Sequence, residues 1–379
     1  MRILLLSAYE ASSHKAWAET LMSGLAHHDW HYLALPARHF AWRIRGNAMS
    51  FAFDPAFKET LERPFDLVIA TSMTDCTGLK AFCPDLQNIP WLLYFHENQF
   101  SYPKNSQQQG LVEMQMVTLY SALSADLCVF NSQFNQDSFF HGARALLKKL
   151  PDYVSPDWLD STQEASQVLP VPLSRDLIAN RLNTDVKASD KVEKVSDRKE
   201  RKLKLVWSAR WEYDKGPDRL LAILEEMESR GLDYQIAILG EQFRSIPEEF
   251  EKIKTHFSHH ISRFGYAESR EEYLAILASA DMVLSTALHE FQGLSVLEAV
   301  ALGCVPVLPN RQVYPELFGQ DFLYKSDLQD IKQEAEFAVN LIEKHRKRIK
   351  SSTDVTFFYD DELLEKYNDL FDSLTRNKH

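Results

Sequence analysis

Short apolar runs separated by amphipathic stretches set the rhythm of the amino-terminal half. Ile3–Ser7, Tyr32–Leu35, Leu67–Ala70, Trp91–Phe95 and Leu127–Phe130 are nearly continuous in apolar residues. Strands that bury only one face alternate polar and apolar positions, so these runs predict strands covered on both faces. Helical spacing occupies about His14 to Ala26, Gly110–Ser124 and Gln133–Lys149. Strands alternating with helices predict a parallel sheet with helices on both sides.

The rhythm stops after Pro151 and later restarts. Lys187–Lys204 holds eight Lys/Arg and four Asp/Glu, a local charge of 8 − 4 = +4, with almost nothing apolar. Such a stretch reads as a solvated connector, or as a holder for a polyanion. Beyond it, strands are predicted at Leu203–Trp207, Gln235–Leu239, Met282–Ser285 and Val305–Leu308. Helices are predicted at Asp218–Ser229, where Pro217 takes the first-turn position proline favours, at Glu271–Ala278 and at Leu294–Leu302. Phe357–Leu374 closes the chain as an amphipathic helix. No short internal repeat is visible. The expected architecture is α/β, with two doubly wound domains. The expected bounds are 1–185, a charged linker at 186–203, 204–355, and a carboxyl-terminal helix at 356–379 packing back toward the first domain.

Bulk properties agree with that division and remove some functions. A length of 379 residues suits two domains, and 45% apolar residues suffice for full cores. The formal charge of −12 argues against a whole-surface nucleic-acid binder, so an RNA partner needs a local basic patch. No apolar run approaches the ~20 residues of a membrane span, and Met1–Ser7 is too short for a signal peptide. Cys76, Cys83, Cys128 and Cys304 form no C-x-x-C pair or zinc-finger spacing, which fits free thiols in the cytoplasm. Cys128 and Cys304 lie in apolar runs as small core residues.

Two segments carry candidate chemistry. In the first, His289–Ala299, Glu298 is the only charge between Phe291 and Asn310 and has apolar neighbours on its helix. A carboxylate there requires a partner, either an arginine distant in sequence or a ligand such as a ribose diol. Glu290 stands at the end of the preceding strand. Gly293 permits close backbone approach, and the helix beginning at Leu294 presents free N–H groups. In the second segment, Ser208–Pro217, Arg210 follows a strand and Lys215 precedes a helix. Two cations at a helix start suit a diphosphate and stabilise it as it departs.

Arg210 and Lys215 followed by Glu-x7-Glu, here Glu290 and Glu298, resemble the retaining family-4-type glycosyltransferases of the two-Rossmann GT-B fold, whose domains face each other across a cleft. That resemblance implies that Arg210 and Lys215 hold the donor diphosphate, Glu290 contacts the transferred sugar, and Glu298 contacts the nucleotide ribose. Further motifs narrow the group. They are Ala11–Lys15, Leu35–Arg45, Tyr94–Pro103, Val129–Asn135 and Pro309–Glu316. Together they resemble the tRNA-queuosine α-mannosyltransferases over most of residues 1–320. Related members can carry Gly-Gly in the first loop where this chain has Ala11 and Ser12.

The resemblance implies GDP-mannose as donor and the cyclopentenediol of queuosine at the wobble position of tRNA(Asp) as acceptor, with retention and no metal. The chain contains no D-x-D metal motif. The expected catalytic set is His96, Arg210, Lys215 and Glu290. The donor set adds Ser12, Ser13, His14, Gly293, Leu294 and Glu298. The acceptor set is Arg38, Trp42, Arg43, Arg45, Glu97, Asn98 and Asn131.

Plainer readings stand beside several of these. His96 also reads as a hydrogen-bonded core residue, His14 as a helix-flanking one, and Trp42–Arg45 as a solvated amphipathic segment. Basic candidates for tRNA are Arg38, His39, Arg43 and Arg45, then Arg144, Lys148 and Lys149, and the 187–204 stretch. Rival functions are a related transferase with a glycan or lipid-linked acceptor, a non-catalytic tRNA or nucleotide-sugar binder, and a two-domain sugar-nucleotide epimerase. No basic amphipathic membrane helix supports the lipid acceptor.

Overall fold

In the first sheet, β1 (Arg2–Glu10), β2 (Asp29–Pro36), β3 (Leu67–Thr71), β4 (Trp91–Phe95), β5 (Leu127–Phe130) and β6 (Gln167–Val168) run parallel in the order β2-β1-β3-β4-β5-β6. The structure is a computed structural model describing residues 1–101, 111–174, 177, 202–242, 246–348 and 354–376. Every residue of β3, β4 and β5 is buried, which is why their sequences show no alternation. The intervening helices include α1 (Ser12–Gly24), α2 (Phe40–Phe53), α3 (Pro55–Leu61), α4 (Cys76–Phe82), α5 (Leu111–Ser124), α6 (Gln133–Leu147) and α7 (Asp157–Ala165).

Helix α2 does not follow from the apolar pattern. Its buried residues Ile44, Asn47, Ala48 and Phe51 have helical spacing, but a polar Asn interrupts the apolar stripe. The Asn47 amide donates to the carbonyls of Arg43, Ile44 and Met73, and its oxygen accepts from Asp75 N–H. The polar residue thus clamps α2 to the loop after β3.

The second sheet comprises β7 (Leu203–Ser208), β8 (Tyr234–Leu239), β9 (Ile261–Gly265), β10 (Met282–Leu284), β11 (Val305–Pro309) and β12 (Leu323–Tyr324). These strands are parallel in the order β12-β11-β10-β7-β8-β9. Around them lie α8 (Pro217–Ser229), α9 (Glu249–His256), α10 (Arg270–Ser279), α11 (Leu294–Ala301), α12 (Tyr314–Leu317) and α13 (Ile331–Arg348). Strand β9 and helix α9 add to the expected elements. Ile261–Gly265 carries Ser262 and Arg263 between its apolar residues, which hides the strand.

Packing divides the chain into Met1–Pro172 with Asp360–His379, and Leu173–Tyr359. The first unit therefore ends before the boundary expected at 185. After β6, Leu169 N–H still bonds Phe130 O, whereas Leu173 N–H bonds Phe358 O within the second unit. Of the expected linker at 186–203, residues 186–201 lie outside the described residues, and Leu203 already opens β7. The terminal helix α14 (Asp360–Arg376) starts later than 356. Its buried residues Leu363, Leu364, Tyr367, Leu370 and Phe371 form one stripe, and Trp17 of α1 donates its indole N–H to Tyr367 Oη at 3.1 Å.

Both sheets are doubly wound. In the first, the chain builds β1 and β2 outward, then crosses to place β3 on the other side of β1. In the second, β7, β8 and β9 build outward before β10 is laid against β7. Loops leaving neighbouring strands at such a switch point diverge and open a crevice beyond the strands' carboxyl ends. In the second unit those loops are 209–216 and 285–293, the two segments singled out for chemistry.

Candidate active site

Lys215 sits in a short 3-10 turn, Tyr213–Lys215, between β7 and α8. Gly216 follows with φ +67°, and a Cβ there would stand 2.2 Å from Thr286 O. Glycine is required on both counts, and the two loops approach backbone to backbone. Leu288 and His289 both donate their N–H to Asp214 O, at 2.8 and 3.1 Å. Thr286 Oγ1 accepts from Trp207 Nε1 and donates to Lys215 O. The loops after β7 and β10 are thereby zipped together.

This zipper sets a charged cluster. Lys215 Nζ donates to His289 O at 3.0 Å and Glu290 Oε2 at 3.1 Å, and lies 3.4 Å from Asp214 Oδ2. Burial alone would lower the Lys215 pKa, but Glu290 and Asp214 outweigh it and hold it above the ordinary value. Burial alone would raise Glu290, but Lys215 and the Gly293 N–H hold its carboxyl below the ordinary range. Both groups are therefore charged at neutral pH. His289 is pushed down to about 4 by burial and by Lys215, so its imidazole is neutral. Arg210, at 38% side-chain exposure, pairs with Glu212 at 3.1 Å.

Gly293, with φ +72°, opens α11 under the Tyr314 ring, and a Cβ there would press on it at 3.1 Å. The helix N-terminus at Leu294 presents free N–H groups beside Glu290. Glu298, one turn on, is not left bare. Arg270 donates to Oε1 at 2.6 Å and Tyr273 Oη to Oε2 at 2.9 Å. The distant arginine is therefore present, and each oxygen keeps a second lone pair for a further donor.

In the first unit, Ser12 and Ser13 open α1 as exposed residues, with Ala11 as an N-cap that offers no side-chain bond. His14 is buried and stacks on His96, with ring centroids 4.2 Å apart. Trp17 and Tyr94 meet His96 edge-on at 4.8 and 4.7 Å. Burial, and then His14, drive the His96 pKa well below the ordinary value. Glu97 Oε1 stands 4.0 Å from His14 Nε2.

Two expected acceptor residues have other duties. Asn98 Nδ2 donates to Asn135 Oδ1 and Ser138 Oγ, while its Oδ1 accepts from Phe100 and Ser101 N–H. Asn131 donates to His96 O and accepts from Asn135 Nδ2. Both amides shape the carboxyl ends of β4 and β5. Arg38 and Trp42 are exposed, and Trp42 lies over Gly46 of its own helix. Arg45 faces Glu113 at 3.7 Å. Arg43 is half-buried, and its Nε is buried without a hydrogen bond among the described residues. Arg144 is engaged by Asp160 and Gln163.

Residues 2–173 match the tRNA-queuosine alpha-mannosyltransferase N-terminal family, and residues 188–353 match the glycosyl transferases group 1 family. A Drosophila melanogaster protein named tRNA-queuosine alpha-mannosyltransferase is 34% identical over 381 aligned positions, covering 100% of this chain and 97% of the relative. The chain belongs to the tRNA-queuosine alpha-mannosyltransferase family. It is a glycosyltransferase with two Rossmann-like units of the GT-B kind. Among solved structures, an alpha,alpha-trehalose-phosphate synthase from Burkholderia vietnamiensis superposes with TM-score 0.69 at 13% identity, covering 99% of each chain. Sucrose-phosphate synthase from Thermosynechococcus elongatus gives 0.67 at 14%, covering 100% of each. Anabaena HepE in complex with UDP gives 0.63 at 14%, covering 98% of this chain and 100% of its own.

Within this family member, several site-shaping residues are not visible from the motifs. Thr286 stands just after a predicted strand. Arg270 and Tyr273 have the i, i+3 spacing that puts both on one helix face, a signal that the sequence does carry. One group of metal-ligating side chains comes together among the described residues, Glu228, His259 and His260. It lies near the amino ends of β8 and β9, where His260 bonds Tyr234 O and Glu228. It is therefore at the edge of the sheet opposite the loops described above. All four cysteines are free, and Cys76, Cys128 and Cys304 are buried.

Proposed function

We propose that the chain transfers mannose from GDP-mannose, with retention, to a cyclopentenediol hydroxyl of queuosine at the wobble position of tRNA(Asp). The observation that carries this reading is the switch-point cluster of Lys215, Glu290 and the α11 N-terminus in a chain that aligns end to end with a tRNA-queuosine mannosyltransferase. In the proposed step the bond between mannose C1 and the β-phosphate oxygen breaks. The acceptor hydroxyl oxygen bonds C1 on the same face, and its proton passes to the departing phosphate. Arg210, Lys215 and the α11 N–H groups stabilise the charge that grows on GDP, in place of a metal. Glu290 meets the sugar and Glu298 the ribose. His96, neutral because of burial and His14, presents an imidazole rather than an imidazolium to the reacting sugar.

The test is incubation with GDP-mannose and tRNA, followed by mass analysis of the nucleosides. Queuosine-containing tRNA(Asp) gains one hexose, and the same tRNA with guanosine at the wobble position gains none. Excess EDTA leaves the initial rate unchanged. Preferred transfer to a free glycan or a lipid carrier overturns the acceptor. Loss of rate restored by Mg²⁺ or Mn²⁺ overturns the metal-free diphosphate site.

No helix among the described residues is long and apolar enough to cross a membrane. That observation is compatible with a cytoplasmic enzyme meeting tRNA.

A further inference from the structure

Behind the loop after β10 lies a buried ionic triad that the transfer step does not use. Arg311, on the loop after β11, has a side chain only 7% exposed. Its NH1 donates to both oxygens of Glu334 on α13, at 3.0 and 2.8 Å, and to Ser326 Oγ at 2.8 Å. Glu334, 1% exposed, also forms an ion pair with Arg219 of α8, whose Nε lies 3.2 Å from Oε1. The remaining Arg311 donors point the other way. Nε bonds Ala287 O at 2.8 Å and NH2 bonds Thr286 O at 3.1 Å.

Those two carbonyls belong to the loop that sets Lys215. Thr286 Oγ1 bonds Lys215 O at 2.8 Å, and Lys215 Nζ bonds His289 O and Glu290 Oε2. A continuous chain of hydrogen bonds therefore runs from Glu334 through Arg311 and Thr286 to the Lys215–Glu290 pair. A guanidinium holds this geometry because it is a planar fork whose five donors leave in fixed directions. It grips two successive carbonyls on one side and a carboxylate on the other. A lysine ammonium keeps the charge for Glu334 but cannot span both sides.

From this geometry we infer that Arg311, locked by Glu334, is a positioning residue for catalysis, holding the 286–290 loop in the register that presents Lys215 and Glu290 to the donor. The inference rests on the proposed role of that pair. It also separates the two arginines of the triad. Both meet Glu334, but the other partners of Arg219 are Asp218 and Leu328 O, away from the 286–287 carbonyls that Arg311 grips.

The experiment compares Arg311→Lys with Arg219→Lys in the full-length chain, using GDP-mannose and queuosine-containing tRNA. Melting temperatures are measured, and kinetics are run well below both. Displacement of a catalytic group by about an ångström costs on the order of 10²-fold in rate. Arg311→Lys is therefore expected to lower kcat by about ten- to a hundred-fold with little change in KM for GDP-mannose. Arg219→Lys lowers the melting temperature comparably and leaves kcat within about two-fold, a small fraction of that positioning cost. Unchanged kcat in Arg311→Lys, or kcat in both variants falling in step with melting temperature, overturns the inference. Lys215→Ala is measured alongside. If it retains full turnover, the reading of the pair fails and this inference with it. If it loses turnover while Arg311→Lys does not, only this inference fails.

Discussion

The two units share one winding rule and finish their switch points with opposite chemistry. At the carboxyl ends of β7 and β10, fixed charge dominates. Lys215, Glu290, Asp214 and Arg210 lie close together, with Arg270 and Glu298 nearby on α10 and α11. At the carboxyl ends of β1, β4 and β5, the buried polar groups include a stacked imidazole pair and an amide network of Asn98, Asn131 and Asn135. His96 is held neutral by burial and by His14. The difference teaches what each edge suits. A preorganised ion cluster responds strongly to charge that develops nearby. A neutral imidazole can donate and accept without a net charge, which suits hydroxyl-rich groups.

If the charged edge acts as inferred, its largest effect is on turnover. Lys215→Ala removes the buried ammonium and leaves Glu290 and Asp214 facing each other. Turnover is expected to fall by about 10²- to 10³-fold, as for the loss of one charge-stabilising donor. Arg210→Ala falls less, since that side chain is 38% exposed and partly screened. Both variants lower kcat more than donor affinity, and steady-state kinetics separates the two. Full turnover in both would erase the distinction between the edges.

The next effect is on stability. The His289 pKa is about 4 in the folded chain against 6.5 unperturbed, so the unfolded chain binds the extra proton between those values. The stability tied to neutral His289 is fully present above pH 6.5 and is lost as pH falls through 4. The whole loss amounts to up to about 3 kcal/mol. Denaturant melts of the wild type and His289→Gln check this, because the substituted chain should show a flatter decline across that window. His96 has the same sign of shift, so wild-type decline that His289→Gln leaves untouched would locate the sensitivity at the neutral edge instead.

Legibility in the sequence follows the same divide. Strands β3, β4 and β5 can be read because burial on both faces leaves an unbroken apolar run. Strand β9 cannot, because half-burial admits Ser262 and Arg263. Helix α2 is hidden by a polar residue placed for a backbone clamp, which periodicity scores as solvent-facing. At the charged edge, Glu290 and Glu298 stand out as isolated carboxylates in apolar sequence, and Lys215 with Arg210 as cations flanking a helix start. Their partners Thr286, Arg270 and Arg311 do not, since bonds across 25 residues or more depend on which strands become neighbours. At the neutral edge, Asn98 and Asn131 read as ligand contacts because a polar residue after a buried strand looks the same whether it holds a ligand or a loop.

A smaller effect distinguishes ligand binding from internal pairing at Glu298. Glu298→Ala removes the proposed ribose acceptor and frees Arg270, which is 39% exposed and can turn to solvent. Donor affinity is expected to weaken by about 2 kcal/mol, the scale of one hydrogen bond to a charged group. Titration calorimetry with GDP measures it. An unchanged affinity with a lowered melting temperature would make Glu298 a partner of Arg270 and Tyr273 alone.

The smallest effect concerns how an acidic chain meets RNA. The formal charge is −12, so phosphates must be met by a local surface. The structure narrows the candidates in the first unit. Arg144 is taken by Asp160, and Arg43 is half-buried. Arg38 is exposed, and Trp42, Arg45 and Met49 lie along the exposed side of α2, opposite Ile44, Asn47, Ala48 and Phe51. Trp42, 56% exposed, offers a flat face on which an unstacked base can lie. Arg45 is only loosely held by Glu113 at 3.7 Å, a separation at which salt screens the pair. Each phosphate that the protein ceases to neutralise should flatten the log–log salt dependence of tRNA affinity by about 0.7 to 0.9. Arg38→Ala combined with Arg45→Ala is therefore expected to reduce the slope by roughly one to two and to weaken tRNA binding several-fold at moderate salt. GDP binding should not change, because neither arginine belongs to the expected donor set. Filter binding across a salt series reads the slope directly. A slope equal to wild type would move the RNA surface off α2, and a parallel loss of GDP affinity would show that the two edges are not independent.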